Sequence, residues 1–217
     1  MISENIEKIR RELPASVKLL AVSKFQPVER LLEAYGCGQR LFGENRPQEL
    51  AAKAPKMPQD VEWHFIGHLQ TNKLKMVLPY ASLVESIDSL HLLEAVNSWG
   101  KSHDRVIPVL LELHIGVEQT KQGFYEEEIL DILFRAESFS HVRFCGLMGM
   151  ASHTDDEDTV RADFTRISSY LEYLQDLFPE LKDFRELSIG MSEDWKIAVG
   201  CGSTEVRIGS AIFGPRG

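Results

Sequence analysis

The sequence predicts a (β/α)8 TIM barrel of the α/β class, and three observations carry that expectation. Eight short β-branched or aliphatic runs alternate with longer amphipathic segments from one end of the chain to the other. Several of the runs, VIPVLLEL and RFCGLMGM among them, are apolar at nearly every position, as strands covered on both faces are. The 217 residues show no linker, low-complexity tract or composition break, so residues 1–217 read as a single domain. A doubly wound sheet shares the local pattern. Eight repeats in so short a chain favour the barrel, at the lower end of its size range.

Taken in order, Ser3–Glu12 is an extra N-terminal helix with Ser3 placed to cap it. Strands are expected at Lys18–Val22, Arg40–Phe42, Glu62–Ile66, Leu83–Glu85, Val106–Ile115, Arg143–Met148, Glu186–Ile189 and Glu205–Ile208. Helices are expected between them at Val28–Tyr35, Arg46–Ala54, Asn72–Leu78, Leu90–Trp99, Glu126–Glu137, Glu157–Phe178 and Glu193–Gly200. Gly36-Cys37-Gly38 follows a helix rather than a strand, which fits a C-cap and turn instead of a nucleotide loop. The acidic run Asp155–Asp158 suits the positive end of the long helix behind it.

Composition narrows the function. Lys and Arg number 24 against 33 Asp and Glu, a net charge of −9, which argues against grip on nucleic acid by phosphate neutralisation. No apolar run approaches the roughly 18–20 residues of a membrane span. The opening MISENIEKIRREL lacks a signal-peptide core, so a cytoplasmic protein is expected. Cys37, Cys145 and Cys201 are too few and too scattered for a disulfide framework or a zinc site. The charged helical surfaces suggest a monomer.

Barrel chemistry belongs at the C-terminal ends of the strands. Lys24 directly follows the apolar run Leu19–Val22, where lost hydration lowers an amine's proton affinity and makes it a candidate Schiff-base nucleophile. The alternative is a lysine that snorkels to solvent. Arg207 stands inside an otherwise apolar strand, facing a ligand anion or an internal partner such as Glu205 or Glu44. Gly209 and Ser210 after the last strand, with Gly190 and Ser192 one strand earlier, match the usual phosphate site of such barrels. Ser192 also reads as a helix N-cap, with Glu193 and Asp194 expected to face away from any bound anion. Asn45 either bonds a ligand or caps the helix at Arg46. His64 and His68 straddle a strand and its loop and lack the shared face of a zinc pair, so no metal is expected there.

These residues spell an ordered series of motifs: Ala21-Val22-Ser23-Lys24-x-x-Pro27, Phe42-Gly43-Glu44-Asn45-x-x-Gln48-Glu49 and Trp63-His64-Phe65-Ile66-Gly67-x-Leu69-Gln70-x-Asn72-Lys73, then Gly146-Leu147-Met148, Ser188-x-Gly190-Met191-Ser192-x-Asp194 and Val206-Arg207-Ile208-Gly209-x-x-Ile212-Phe213-Gly214. Over nearly the whole chain they resemble the YggS/PROSC family of pyridoxal 5′-phosphate homeostasis proteins. The resemblance implies a fold-type III barrel like the alanine racemase N-terminal domain, with pyridoxal phosphate (PLP) as cofactor. It implies Lys24 as the internal-aldimine lysine, Arg207 at the pyridine nitrogen, Ser192, Gly209 and Ser210 at the phosphate, and Asn45 lining the site.

An arginine there is always protonated, so it leaves the ring nitrogen unprotonated and weakens the ring as an electron sink. Such a site suits holding PLP and exchanging it with amines, including amino acids as weak partners, or with apo-enzymes. Lys121 is a candidate second amine, against the plainer reading of a solvated lysine. The competing readings are a fold-type III amino-acid racemase or decarboxylase, for which none of the five tyrosines stands directly at a strand end (Tyr125 is nearest), and a PLP-independent Schiff-base aldolase.

Overall fold

A computed structural model describes residues 1–116 and 122–214; Lys121 lies outside them. Eight parallel strands close into one barrel in sequence order: β1 (Lys18–Val22), β2 (Leu41–Glu44), β3 (Glu62–Phe65), β4 (Leu83–Ile87), β5 (Ile107–Glu112), β6 (Val142–Met148), β7 (Glu186–Met191) and β8 (Glu205–Ile208). Closure is carried by β1 on β8, with Leu20 opposite Arg207 and Ala21 opposite Ile208. The expected TIM barrel is therefore the observed fold.

The helices are α1 (Ile2–Glu12), α2 (Val28–Gly36), α3 (Pro47–Lys53), α4 (Leu74–Val77), α5 (Leu90–Ser102), α6 (Glu126–Phe134), α7 (Glu157–Leu177), α8 (Trp195–Gly200) and α9 (Ser210–Phe213). The extra helix α1 turns Ile2, Ile6 and Ile9 inward and packs against α2 and α9. It begins at Ile2, so Ser3 sits in its first turn and does not cap it. Gly36-Cys37-Gly38 does end α2: Gly38 takes φ +81 and its N–H bonds the Tyr35 carbonyl at 2.9 Å. No helix among the described residues is long and apolar enough to cross a membrane.

β2 runs on to Glu44, β4 to Ile87 and α5 to Ser102, α6 stops at Phe134, and three further boundaries moved for physical reasons. β5 ends at Glu112, earlier than its apolar run suggests, because Leu113 leaves the ladder to bridge Phe124; burial alone does not separate a strand from a packed loop. β7 runs on through Gly190, whose φ of +93 lets the chain pass α8, where a Cβ would lie 2.5 Å from the Ala198 methyl. α8 starts at Trp195 rather than Glu193, since Asp194 Oδ1 accepts from the Met191 N–H at 2.5 Å and closes a turn ahead of the helix.

The main core lies between strands and helices and is built on Phe42, Phe65, Phe164 and Phe184. A smaller apolar cluster, Leu83, Leu110, Cys145 and Met148, fills part of the lumen. All three cysteines are free thiols. Phe164 on α7 is fully buried, so Phe164→Ala should lower unfolding free energy by about 3–5 kcal/mol, read from urea midpoints.

Candidate functional site

The turn after β1 holds Lys24 in place. Ser23, fully buried, donates its hydroxyl to Glu44 Oε1 at 2.7 Å and to the Gly43 carbonyl at 3.0 Å. Lys53 reaches in from α3 with only 7% of its surface exposed. Its ammonium donates to the Ser23 carbonyl at 2.8 Å, to Glu44 Oε1 at 2.5 Å and to Glu49 Oε2 at 2.7 Å. Glu49 also accepts from the Phe25 N–H at 2.8 Å, and Phe25 sits at φ +65. The half-buried Lys24 is thus fixed on both sides in sequence by one buried ion network. Burial pushes the Glu44 carboxyl up against the pull of Lys53 and Ser23. Burial acts on Glu49 too, but Lys53 and the Phe25 N–H outweigh it and hold that carboxyl down.

Asn45 caps nothing: α3 begins at Pro47 with Arg46 at its N-cap. Gly67 presses on the Asn45 backbone, where a Cβ would fall 2.1 Å from the Asn45 carbonyl oxygen, so only glycine fits. The Asn45 side-chain oxygen is buried with no hydrogen-bond partner. Such an orphaned acceptor marks a place where a donor is wanted.

On the far side of β1, Ser192 and Gly209 come together: the Gly209 N–H donates to Ser192 Oγ at 3.3 Å. Ser210 stands exposed at the start of α9. Ser192 does not cap α8, whose N-cap is Asp194. Asp194 is turned onto its own loop by the Met191 N–H, and Glu193 is exposed.

Arg207 is 95% buried, with 5% of its surface exposed. It pairs with neither Glu205 nor Glu44. Nη1 donates to the Ser188 carbonyl at 2.6 Å and to Ser188 Oγ at 2.7 Å, and Nη2 to the Gly149 carbonyl at 2.9 Å. Ser188 Oγ donates in turn across the lumen to Glu85 Oε2 at 2.5 Å. Glu85 Oε1 meets His64 Nδ1 at 2.8 Å, and Glu205 Oε2 lies 3.3 Å from the same nitrogen. β3 and β8 are not neighbours, so His64 and Glu205 can meet only through the barrel interior. Burial opposes charge on His64, yet Glu205 and Glu85 overcome it and hold the imidazole protonated. Burial raises the Glu85 carboxyl, but the bond to His64 turns the balance and keeps it ionised. Glu205 is pushed up by burial and by Glu85.

Alternation explains this placement: Glu205 and Arg207, two apart on β8, share the inward face, while Val206 and Ile208 join the outer core. The ligand atoms of His64, Glu85 and Glu205 lie within 4.8 Å of one another, a grouping the sequence reading does not find, and their hydrogen bonds serve each other. His68 is not part of it; His68 Nδ1 bonds Asp88 Oδ2 at 2.9 Å at the rim.

A further acid went unnoticed in its apolar run. Glu112 closes β5 with 3% of its surface exposed, and burial followed by the charge of Asp88 lifts its carboxyl to about 7, against the pull of Arg207 and His68.

The comparisons follow this geometry. The family model for the alanine racemase N-terminal domain matches residues 1–217, which makes the chain a barrel of that class. It is 38% identical over 205 residues to the pyridoxal phosphate homeostasis protein of Pasteurella multocida, covering 93% of this chain and 88% of that one. The human protein of the same name is 39% identical over 228 residues, covering 99% and 82%. PipY of Synechococcus elongatus, solved without PLP, superposes at TM-score 0.94 with 34% identity over 99% of this chain and 100% of that one; its PLP-bound form gives 0.90. The chain belongs to the pyridoxal phosphate homeostasis protein family. Alanine racemase from E. faecalis shares the fold at TM-score 0.75 and 18% identity, with 58% of that chain covered.

Removing Glu85 leaves His64 and Arg207 short of their counter-charge, so Glu85→Ala should cost about 3–5 kcal/mol in urea unfolding. Glu112 has the opposite sense. Its folded-state proton affinity is raised, so its contribution is present below the ordinary carboxylate range and lost as pH climbs through about 7. Glu112→Gln should match the parent near pH 5 and exceed it by about 2–3 kcal/mol at about pH 8, read as thermal midpoints across that range.

Proposed function

We propose that this chain binds pyridoxal 5′-phosphate at the C-terminal mouth of the barrel and serves intracellular vitamin B6 homeostasis from the cytoplasm. The observation that carries the reading is the rigidly held Lys24 turn at the same mouth as the Ser192–Gly209 pair and the buried Arg207. The residues suit the group. Ser192 Oγ, the Gly209 backbone and the exposed Ser210 hydroxyl offer contacts for a phosphate. Asn45 carries a buried acceptor in need of a donor. Arg207 provides a cation with fixed orientation for a ring nitrogen.

When bound, the group supplies an aldehyde carbon that condenses reversibly with a primary amine and releases water. Lys24 Nζ is the amine this chain offers. The Lys53 network keeps its backbone from moving, so exchange involves the side chain alone. Arg207 cannot give up its proton and is braced by two carbonyls and a hydroxyl. It therefore stabilises a neutral ring nitrogen and favours holding the group over carbanion chemistry. Residues 1–217 form one PLP-binding domain, acting as a monomer that exchanges its load with free amines, amino acids or apo-enzymes.

The test is the visible spectrum of purified protein given PLP, for the parent and Lys24→Ala, before and after borohydride. The parent should show a yellow band that borohydride bleaches, with the added mass on the peptide bearing Lys24. The variant should lack the band. A parent protein that takes up no PLP, or a reduced adduct on another lysine, would overturn the reading.

A further inference from the structure

The strand order gives the mouth two sides. In a closed ring of eight, β5 stands opposite β1 whichever way the ring is followed. Glu112 therefore faces Lys24 across the opening. On β5, Leu110 belongs to the lumen cluster while Val109, Leu111 and Leu113 belong to the outer core. Alternation puts Glu112 on the Leu110 face. Only 3% of the Glu112 surface is exposed, and among the described residues its carboxyl accepts no hydrogen bond; burial and nearby charges act on it. Those charges are Asp88 after β4, His68 after β3 and Arg207 on β8. A buried carboxyl without donors is costly. Its neighbours do not relieve it, because Arg207 is committed to Ser188 and Gly149 and His68 to Asp88.

Beside it, the rim carries a built pair. His68 Nδ1 donates to Asp88 Oδ2 at 2.9 Å; the His68 side chain is 48% exposed and that of Asp88 8%.

We propose that Glu112, with the His68–Asp88 pair at its rim, is a binding and proton-accepting subsite for primary ammonium groups that enter the mouth to displace Lys24. The inference rests on the reading of the mouth as an aldehyde-holding site. An amine in water near neutral pH arrives as R–NH3+, which has no lone pair with which to attack. Glu112 carboxylate holds that cation and takes one proton, breaking an N–H bond and forming an O–H bond, which leaves R–NH2. As the new carbon–nitrogen bond forms and the one to Lys24 breaks, Lys24 Nζ recovers a proton from Glu112. The carboxylate is restored, Lys24 leaves as an ammonium, and no proton is gained or lost. The Asp88 carboxylate, paired with His68, adds negative charge at the solvent side of the same subsite.

Two measurements decide it. In protein free of PLP, carbon-13 NMR of labelled glutamate side chains, with Glu112→Gln to assign the signal, should show Glu112 titrating near neutral pH. Saturating n-propylammonium should move that midpoint to lower pH, and an unmoved midpoint would overturn the proposal. In PLP-loaded protein near pH 7, release by n-propylamine is compared with release by methoxyamine, which is already uncharged and needs no proton acceptor. Glu112→Gln should still load PLP, lose about 10²-fold or more in the propylamine rate and keep the methoxyamine rate, with Glu112→Asp recovering part of the loss. Equal slowing of both amines, or of neither, would refute the subsite. A parent that loads no PLP refutes the proposed function instead, and the titration in the free protein still decides whether Glu112 binds ammonium groups.

Discussion

The lumen of this barrel is buried, and it contains charge. Every other feature of the mouth depends on how that charge is compensated. An isolated ion in such a place costs far more than the marginal stability of a domain, so each buried ion must meet an opposite charge or a full set of dipoles. His64 meets Glu85 and Glu205, and Glu85 meets Arg207 through Ser188. These groups come from β3, β4, β7 and β8, strands that do not all touch in the sheet. The network thus ties opposite walls together, and Arg207 is fixed by the whole lumen rather than by its own strand.

The Lys24 side is held by different means. There the fixing charge is Lys53, which comes from a helix and not from the lumen, and bonds a carbonyl and two carboxylates around one turn. The backbone on either side of Lys24 is clamped by this network. The same ammonium pulls both Glu44 and Glu49 down, but burial outweighs it at the more deeply buried Glu44 and not at Glu49. Two networks, one around Lys53 and one in the lumen, thus hold the Lys24 turn and the Arg207 guanidinium.

Sequence patterns carried the barrel because strand runs and helical faces are local, and closure follows from their number. Position singles out Lys24, Ser192, Gly209, Ser210 and Arg207 as candidates, because each stands at or next to a strand end. Sequence patterns did not carry Lys53, which looks like any helical lysine until α3 is seen to dock on Ser23. Nor did they carry Glu85, Glu112 or the pairing of His64. An acid in an apolar run was a visible signal in LVESI and VLLEL, but which acid meets which base is settled across the lumen, between residues as far apart as 64 and 205. Local capping rules misplaced Ser3, Asn45 and Ser192 for the related reason that helix starts here are set by packing and by Asp194, not by the nearest hydroxyl or amide.

Charge of both signs stands in the lumen and around the mouth: Arg207 and Glu205 on β8, Asp194 after β7, Lys24 after β1, Asp88 after β4 and Glu112 at the end of β5. Glu112 is drawn both ways, since burial and Asp88 raise its proton affinity while Arg207 and His68 lower it. A closed parallel barrel brings these groups from separate strand ends to one opening, so the balance of charge there is set across the lumen rather than along any one strand.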